Sequence, residues 1–146
     1  MRRLPPLLRR AWFSLNQAFR QRLIPLSITP DQYTILRWLE EGAPEGLTQS
    51  DITRQMASDP NTITATVRRM EKAGLLERLP HESDGRAKRV RILPPGRAAF
   101  LRAQQLAFEL QGNILNCLDV HETRVFLALL QRVADAAATE ASEKRI

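Results

Sequence analysis

Residues 47–94, LTQSDITRQMASDPNTITATVRRMEKAGLLERLPHESDGRAKRVRILP, decide the fold of this chain. They read in order as helix, turn, helix, strand, basic loop and strand. Thr48 can cap a helix, and Asp51 stands three residues later, close to a capping box. Ile52 and Met56, four apart, give that helix an apolar stripe. The chain turns at Ser58-Asp59-Pro60, where Asp59 suits the cap and Pro60 the first helical position. A second helix, Pro60 to Ala73, buries Ile63, Val67 and Met70 at spacings of four and three. Gly74 stops it by supplying the left-handed conformation of a C-cap. Leu75, Leu76 and Leu79 read as a short strand, with Val90 and Ile92 in its partner. His81 to Arg89 form the loop between them, too polar to be buried.

Asn61, Thr62, Thr64, Ala65, Arg68 and Arg69 fall largely off the buried stripe of the second helix. Short hydrogen-bonding side chains at a helix start, with arginines a turn or two on, suit an element that enters a major groove. Asn61, Thr62, Thr64 and Arg68 are the candidate base readers. Asn pairs with adenine, Arg with guanine, and a Thr methyl meets thymine, a good pair discriminating by about 1–3 kcal/mol. Ser50 and Arg69 are better placed for phosphates, where they position rather than specify.

GLTQSDIT, NTITATVRRMEKAGLLER, the D-x-R of Asp84-Gly85-Arg86, and RAKRVRILPPGR follow one another in this chain. In that order and spacing they resemble the MarR-type winged helix-turn-helix transcriptional regulators, most closely over residues 46–97. Ala65 stands where many members carry a basic residue, and Pro94 where many carry a capping Thr. The resemblance implies a mainly α (α+β) fold, with a winged helix-turn-helix at residues 30–97 inside a single domain of residues 1–146. Helices at 1–25 and 98–140 would form the dimerisation region. It assigns Arg86 to a minor groove, with Asp84 orienting its guanidinium, and Lys88 and Arg89 to phosphates. A narrow groove concentrates negative potential, so a pre-oriented Arg is well suited to it.

Charge agrees with that assignment. The formal net charge is +6, and its distribution is uneven. Residues 1–30 carry six Arg and no acid, and residues 61–102 carry ten bases and four acids. Residues 31–60 and 103–146 are net acidic. The positive charge thus sits on the N-terminal arm and on the helix-plus-wing segment, as phosphate contacts require.

The flanks read as helices. Leu4, Leu7, Leu8, Ala11, Trp12, Leu15, Ala18, Phe19 and Leu23 recur at helical spacing, with Pro5 and Pro6 at the start and Pro25 ending the helix. Thr29, Pro30 and Gln32 make a cap, first position and capping-box partner, and Tyr33, Ile35, Leu36 and Leu39 follow until Gly42. Pro95-Gly96-Arg97 opens a long helix through Phe100, Ala103, Leu106, Leu110, Ile114 and Leu118, interrupted by Gly112. Asp119 and Glu122 make another cap and box before Val125, Phe126, Leu129, Leu130 and Val133. The first helix and the last two together expose more apolar surface than a winged unit covers, which predicts a two-fold homodimer, with an intramolecular three-helix bundle as the alternative. Its two recognition helices, about 34 Å apart, would meet a palindrome in double-stranded DNA.

The function expected is a transcriptional regulator, most often a repressor in this family, that binds a palindromic operator as a homodimer. The rival readings are a non-sequence-specific architectural DNA binder and a winged-helix protein-interaction module. Relatives often release DNA on binding a small molecule, and Trp12, Tyr33 and Trp38 are the candidate effector residues. Core packing is the alternative for all three. Cys117, the single cysteine, lies on the side of Ile114 and Leu118 and reads as buried and structural. His81 and His121 show no metal-ligand spacing. Neither a nucleophile elbow nor a phosphate-binding loop appears, so no enzyme, metal or cofactor is expected. With no apolar run long enough for a bilayer and no cleavable leader, a cytoplasmic location follows.

Overall fold

The computed structural model describes residues 1–81 and 84–143, the side chains of residues 81–88 excepted. Six α-helices are described, α1 (Leu4–Leu23), α2 (Pro30–Glu41), α3 (Gln49–Met56), α4 (Pro60–Lys72), α5 (Pro94–Leu115) and α6 (Val120–Ser142), with a 3-10 turn at Ile24–Leu26 after the first. Strands β1 (Leu47–Thr48), β2 (Leu76–His81) and β3 (Asp84–Ile92) form an antiparallel sheet in the order β1-β3-β2. This is the mainly α winged helix-turn-helix that the sequence predicts.

Four helices start on local signals. Thr29 accepts from the Gln32 amide and Gln32 from the Thr29 amide, at 3.2 Å each, closing the capping box of α2. Thr48 and Asp51 close the same box on α3 at 3.1 Å, and Asp119 with Glu122 does so on α6. Asp59 accepts from the Thr62 amide and caps α4, with Pro60 at its first position. Each box satisfies amides that the helix itself leaves without an acceptor.

Left-handed backbone occurs at Ser27, Gly46, Ala57 and Gly74 among the described residues. Gly74 ends α4 with φ +77°, as anticipated. Ala57 ends α3 with φ 48°, which a non-glycine residue rarely adopts and which nothing in its local sequence announces.

The chain divides into two compact units, residues 1–108 and 109–146. In the first, Leu23, Ile35, Leu36, Ile52, Val67, Met70, Leu76 and Val90 are fully buried, so every element from α1 to β3 except β1 gives side chains to the core. Leu47 pairs with Val90 and Thr48 with Arg89, which makes β1 a third strand that sequence reading missed. Arg97 Nε donates to Glu40 Oε2 at 2.9 Å and ties the start of α5 to α2. In the second unit, α6 has no buried residue, and Val125, Phe126, Leu127 and Leu129 are exposed along it.

The structure corrects two readings. His81 to Arg89 are not one loop: β2 runs to His81 and β3 begins at Asp84, with His81 paired to Asp84 past an irregularity at Pro80. A two-stranded ribbon needs only backbone hydrogen bonds, so polarity does not prevent strands here. Cys117 is exposed, not buried. Helix α5 ends at Leu115, and the neighbours that suggested a buried stripe are not buried either, Ile114 being exposed and Leu118 half-buried. Gly112 lies within α5 without ending it.

Candidate nucleic-acid interface

Helix α4 is amphipathic at 100° per residue. Its buried side is Ile63, Thr66, Val67 and Met70. The opposite side, by the helical repeat, is Asn61, Thr64, Ala65, Arg68 and Lys72. Of these Asn61, Arg68 and Lys72 are exposed, and Thr64 and Ala65 half-buried. Thr62 and Arg69 are exposed on one flank of that side. Lys72 was missed in the sequence. Its signal was the spacing of four from Arg68, and the described residues include no ion-pair partner for it.

The threonine hydroxyls turn back into the helix. Thr62 Oγ1 donates to Asp59 Oδ2 at 3.3 Å, Thr64 Oγ1 to the Pro60 carbonyl at 2.9 Å, and Thr66 Oγ1 to the Thr62 carbonyl at 2.9 Å. From α3, Gln49 Nε2 donates to Thr64 Oγ1 at 2.5 Å and joins the two helices of the motif. Ser50, one residue further, is exposed in the first turn of α3.

The wing is fastened to this motif at its base. Arg78 of β2 donates from its amide, Nε and Nη2 to the Glu71 carboxylate of α4 at 3.3, 3.1 and 3.0 Å. That hydrogen bonding holds the Glu71 pKa below its ordinary value. Asp51 is likewise lowered, first by the Thr48 hydroxyl that closes its capping box and also by the charges of Arg54 and Arg89. Arg89 Nη1 donates to the Gly46 carbonyl at 2.9 Å. Arg89, expected at a phosphate, therefore also braces β3 against the linker before β1, a task that sequence reading missed. Glu77 and Arg91 form a cross-strand ion pair. The backbone of Asp84, Arg86 and Lys88 lies in β3, and their side chains are outside the described residues.

The candidate effector residues are not brought together. Trp12 is two-thirds exposed on α1. Tyr33 is packed edge-on against Phe19 and stacked on Phe100, at 5.1 and 5.6 Å between centroids, and burial raises its pKa. Trp38 carries the Arg37 guanidinium 5.0 Å from its ring centroid. Arg37 Nε and Trp38 Nε1 are buried donors without an acceptor among the described residues. A shallow groove of about 340 Å³ along α1, lined by Phe13, Asn16, Gln17, Arg20, Gln21 and Ile24, includes none of the three.

Comparison with known proteins agrees with this architecture. Residues 28–88 match the family model described as the MarR family. An HTH-type transcriptional repressor of Mycobacterium tuberculosis is 26% identical over 127 residues, 87% of this chain and 90% of that protein. The S. aureus MepR–DNA complex superposes with a TM-score of 0.84 at 22% identity, covering 93% of this chain and 99% of that one. Apo MarR from E. coli superposes with a TM-score of 0.81 at 23% identity, covering 91% and 98%.

Proposed function

Since residues 28–88 match the MarR family model, we propose that the chain is a MarR-type transcriptional repressor that binds a palindromic operator as a homodimer in the cytoplasm. The observation that carries this reading is the outer side of α4: Asn61, Thr64, Ala65, Arg68 and Lys72 stand opposite the buried stripe, free of acids. Asn61 and Arg68 hydrogen-bond base edges, Thr62 and Thr64 make van der Waals contact, and Ser50, Arg69 and Lys72 hold phosphates. Arg86, oriented by Asp84, enters the minor groove, and Lys88 and Arg89 neutralise the flanking backbone.

The dimer is supported by apolar side chains exposed on α1 and α6, among them Leu4, Leu7, Leu8 and Trp12 and Val125, Phe126 and Leu129. Burying them against a second copy removes that surface from water, and the two-fold axis matches a palindrome. Regulation by a small molecule is part of the proposal. An effector bearing an acceptor group would satisfy the buried Arg37 and Trp38 donors, and it would release DNA only by binding the non-operator geometry more tightly. Trp12 and Tyr33 are the other aromatic candidates.

The test is selection of bound sequences from a random duplex pool at near-physiological salt. A two-fold-symmetric site is the expected result. Unenriched DNA, with affinity that collapses as salt rises, would leave a non-specific DNA binder instead.

A further inference from the structure

We infer that Thr64 reads a thymine methyl group, and that Gln49 is the positioning residue that makes it do so. The inference rests on the operator-binding reading above and adds a base identity to one position of each half-site.

A threonine hydroxyl has one proton and two lone pairs. The Thr64 proton is directed to the Pro60 carbonyl at 2.9 Å, within its own helix. It is therefore not offered to N7 or O6 of guanine, N7 of adenine or O4 of thymine, the acceptors of the major groove. The same oxygen accepts from Gln49 Nε2 at 2.5 Å, so one of its lone pairs is also occupied. What the side chain still presents is its methyl beside one remaining lone pair, which could accept only from adenine N6 or cytosine N4. Ala65 beside it on the outer side of α4 is apolar as well, so an apolar step lies between Asn61 and Arg68. Thymine, with its C5-methyl, is the base that such a step selects.

Gln49 is held as firmly as the residue it orients. It is the first residue of α3, directly after Thr48, whose capping box with Asp51 and pairing with Arg89 of β3 set the start of that helix. Its amide therefore reaches Thr64 from a fixed origin. A sequence reader sees a polar residue at a helix start; only the packing of α3 on α4 gives it this role.

The experiment first selects the operator, then measures affinity for duplexes in which each thymine is replaced in turn by deoxyuridine, which removes only the methyl. The proteins are the parent chain, Thr64→Val, Thr64→Ser and Gln49→Ala. One position per half-site should cost the parent about fourfold on replacement, the effect of one buried methyl. Thr64→Val lacks the hydroxyl but is held in one rotamer by its own branched Cβ, so it keeps a methyl at this place without Gln49 and should retain that ratio. Thr64→Ser should bring it to one, and Gln49→Ala should lower it while discrimination at the other positions persists. An enriched operator at which no thymine is sensitive overturns the inference and leaves the repressor reading standing. A ratio lost in Thr64→Val and kept in Thr64→Ser also overturns it. Failure to enrich any operator removes both readings together.

Discussion

Glu71 of α4 and Arg78 of β2 are seven residues apart and meet through two parallel side-chain hydrogen bonds, with a third from the Arg78 amide. The turn at Gly74 brings them together, so the end of the recognition helix and the first strand of the wing move as one piece. The planar guanidinium fits the carboxylate in a way that an ammonium does not. A double-mutant cycle of Glu71→Gln and Arg78→Met, read by urea unfolding, should give a coupling of about 0.5–1 kcal/mol, because the pair is partly exposed. Strict additivity would show that the clamp contributes no stability.

The same carboxylates predict an acid limb of stability. Glu71 and Asp51 both have folded-state pKa values below their ordinary ones. Groups lowered in this way stabilise the fold above the unfolded-state pKa, about 4 for these residues, and lose that contribution as pH falls through the folded value. The parent chain should therefore lose stability on acidification below about pH 4. Glu71→Gln and Asp51→Asn should be less stable at neutral pH and show a shallower fall. Equal slopes in thermal melts from pH 3 to 6, taken as about the titration range of these groups, would refute the assignment.

Gly46 should not tolerate a side chain. Its φ is +96°, and a Cβ there would lie 2.1 Å from the Val90 carbonyl oxygen, where β3 passes the linker. Gly46→Ala should lower stability by about 2 kcal/mol or more, from backbone strain and the clash combined. It should also loosen the Arg89 contact to the Gly46 carbonyl. An unchanged denaturation midpoint would contradict the close approach.

Lys72 and Arg68 share the outer side of α4 and should fail differently. Lys72→Ala should weaken binding to all sequences alike and reduce the salt slope of the affinity by about one. Arg68→Ala should instead relax preference at one base by about 1–3 kcal/mol. Titrations of operator and scrambled duplexes at several salt concentrations separate the two. Equal loss of specificity in both variants would place Lys72 on a base.

On α6, Val125 and Leu129 lie one turn apart and are both exposed. If a second copy covers them, Val125→Glu with Leu129→Glu should convert a dimer to a monomer in sedimentation at micromolar concentration, while the helicity of the DNA-reading unit persists. A parent chain that sediments as a monomer would remove the dimer from the proposal.

The helix starts were legible because a cap is a local device. Thr29 with Gln32, Thr48 with Asp51, and Asp119 with Glu122 need only three residues of chain to find each other. The buried stripe of α4 was legible for the same reason, since Ile63, Val67 and Met70 follow the 3.6-residue period. The contacts that shape the interface are of another kind. Gln49 and Thr64 are fifteen residues apart, Arg89 and Gly46 forty-three, and Leu47 finds Val90 only once the hairpin has folded back. Cys117 was misread because the apolar side of Ile114 and Leu118 is not covered within the chain, which periodicity cannot show. Sequence alone therefore determined the order of the helices, their caps, the apolar faces and the placement of charge, because each depends on near neighbours along the chain. Tertiary structure alone decided what the Thr64 hydroxyl accepts from, what braces the wing and which apolar stripes remain uncovered. Those depend on how separate elements pack, and no local period encodes that.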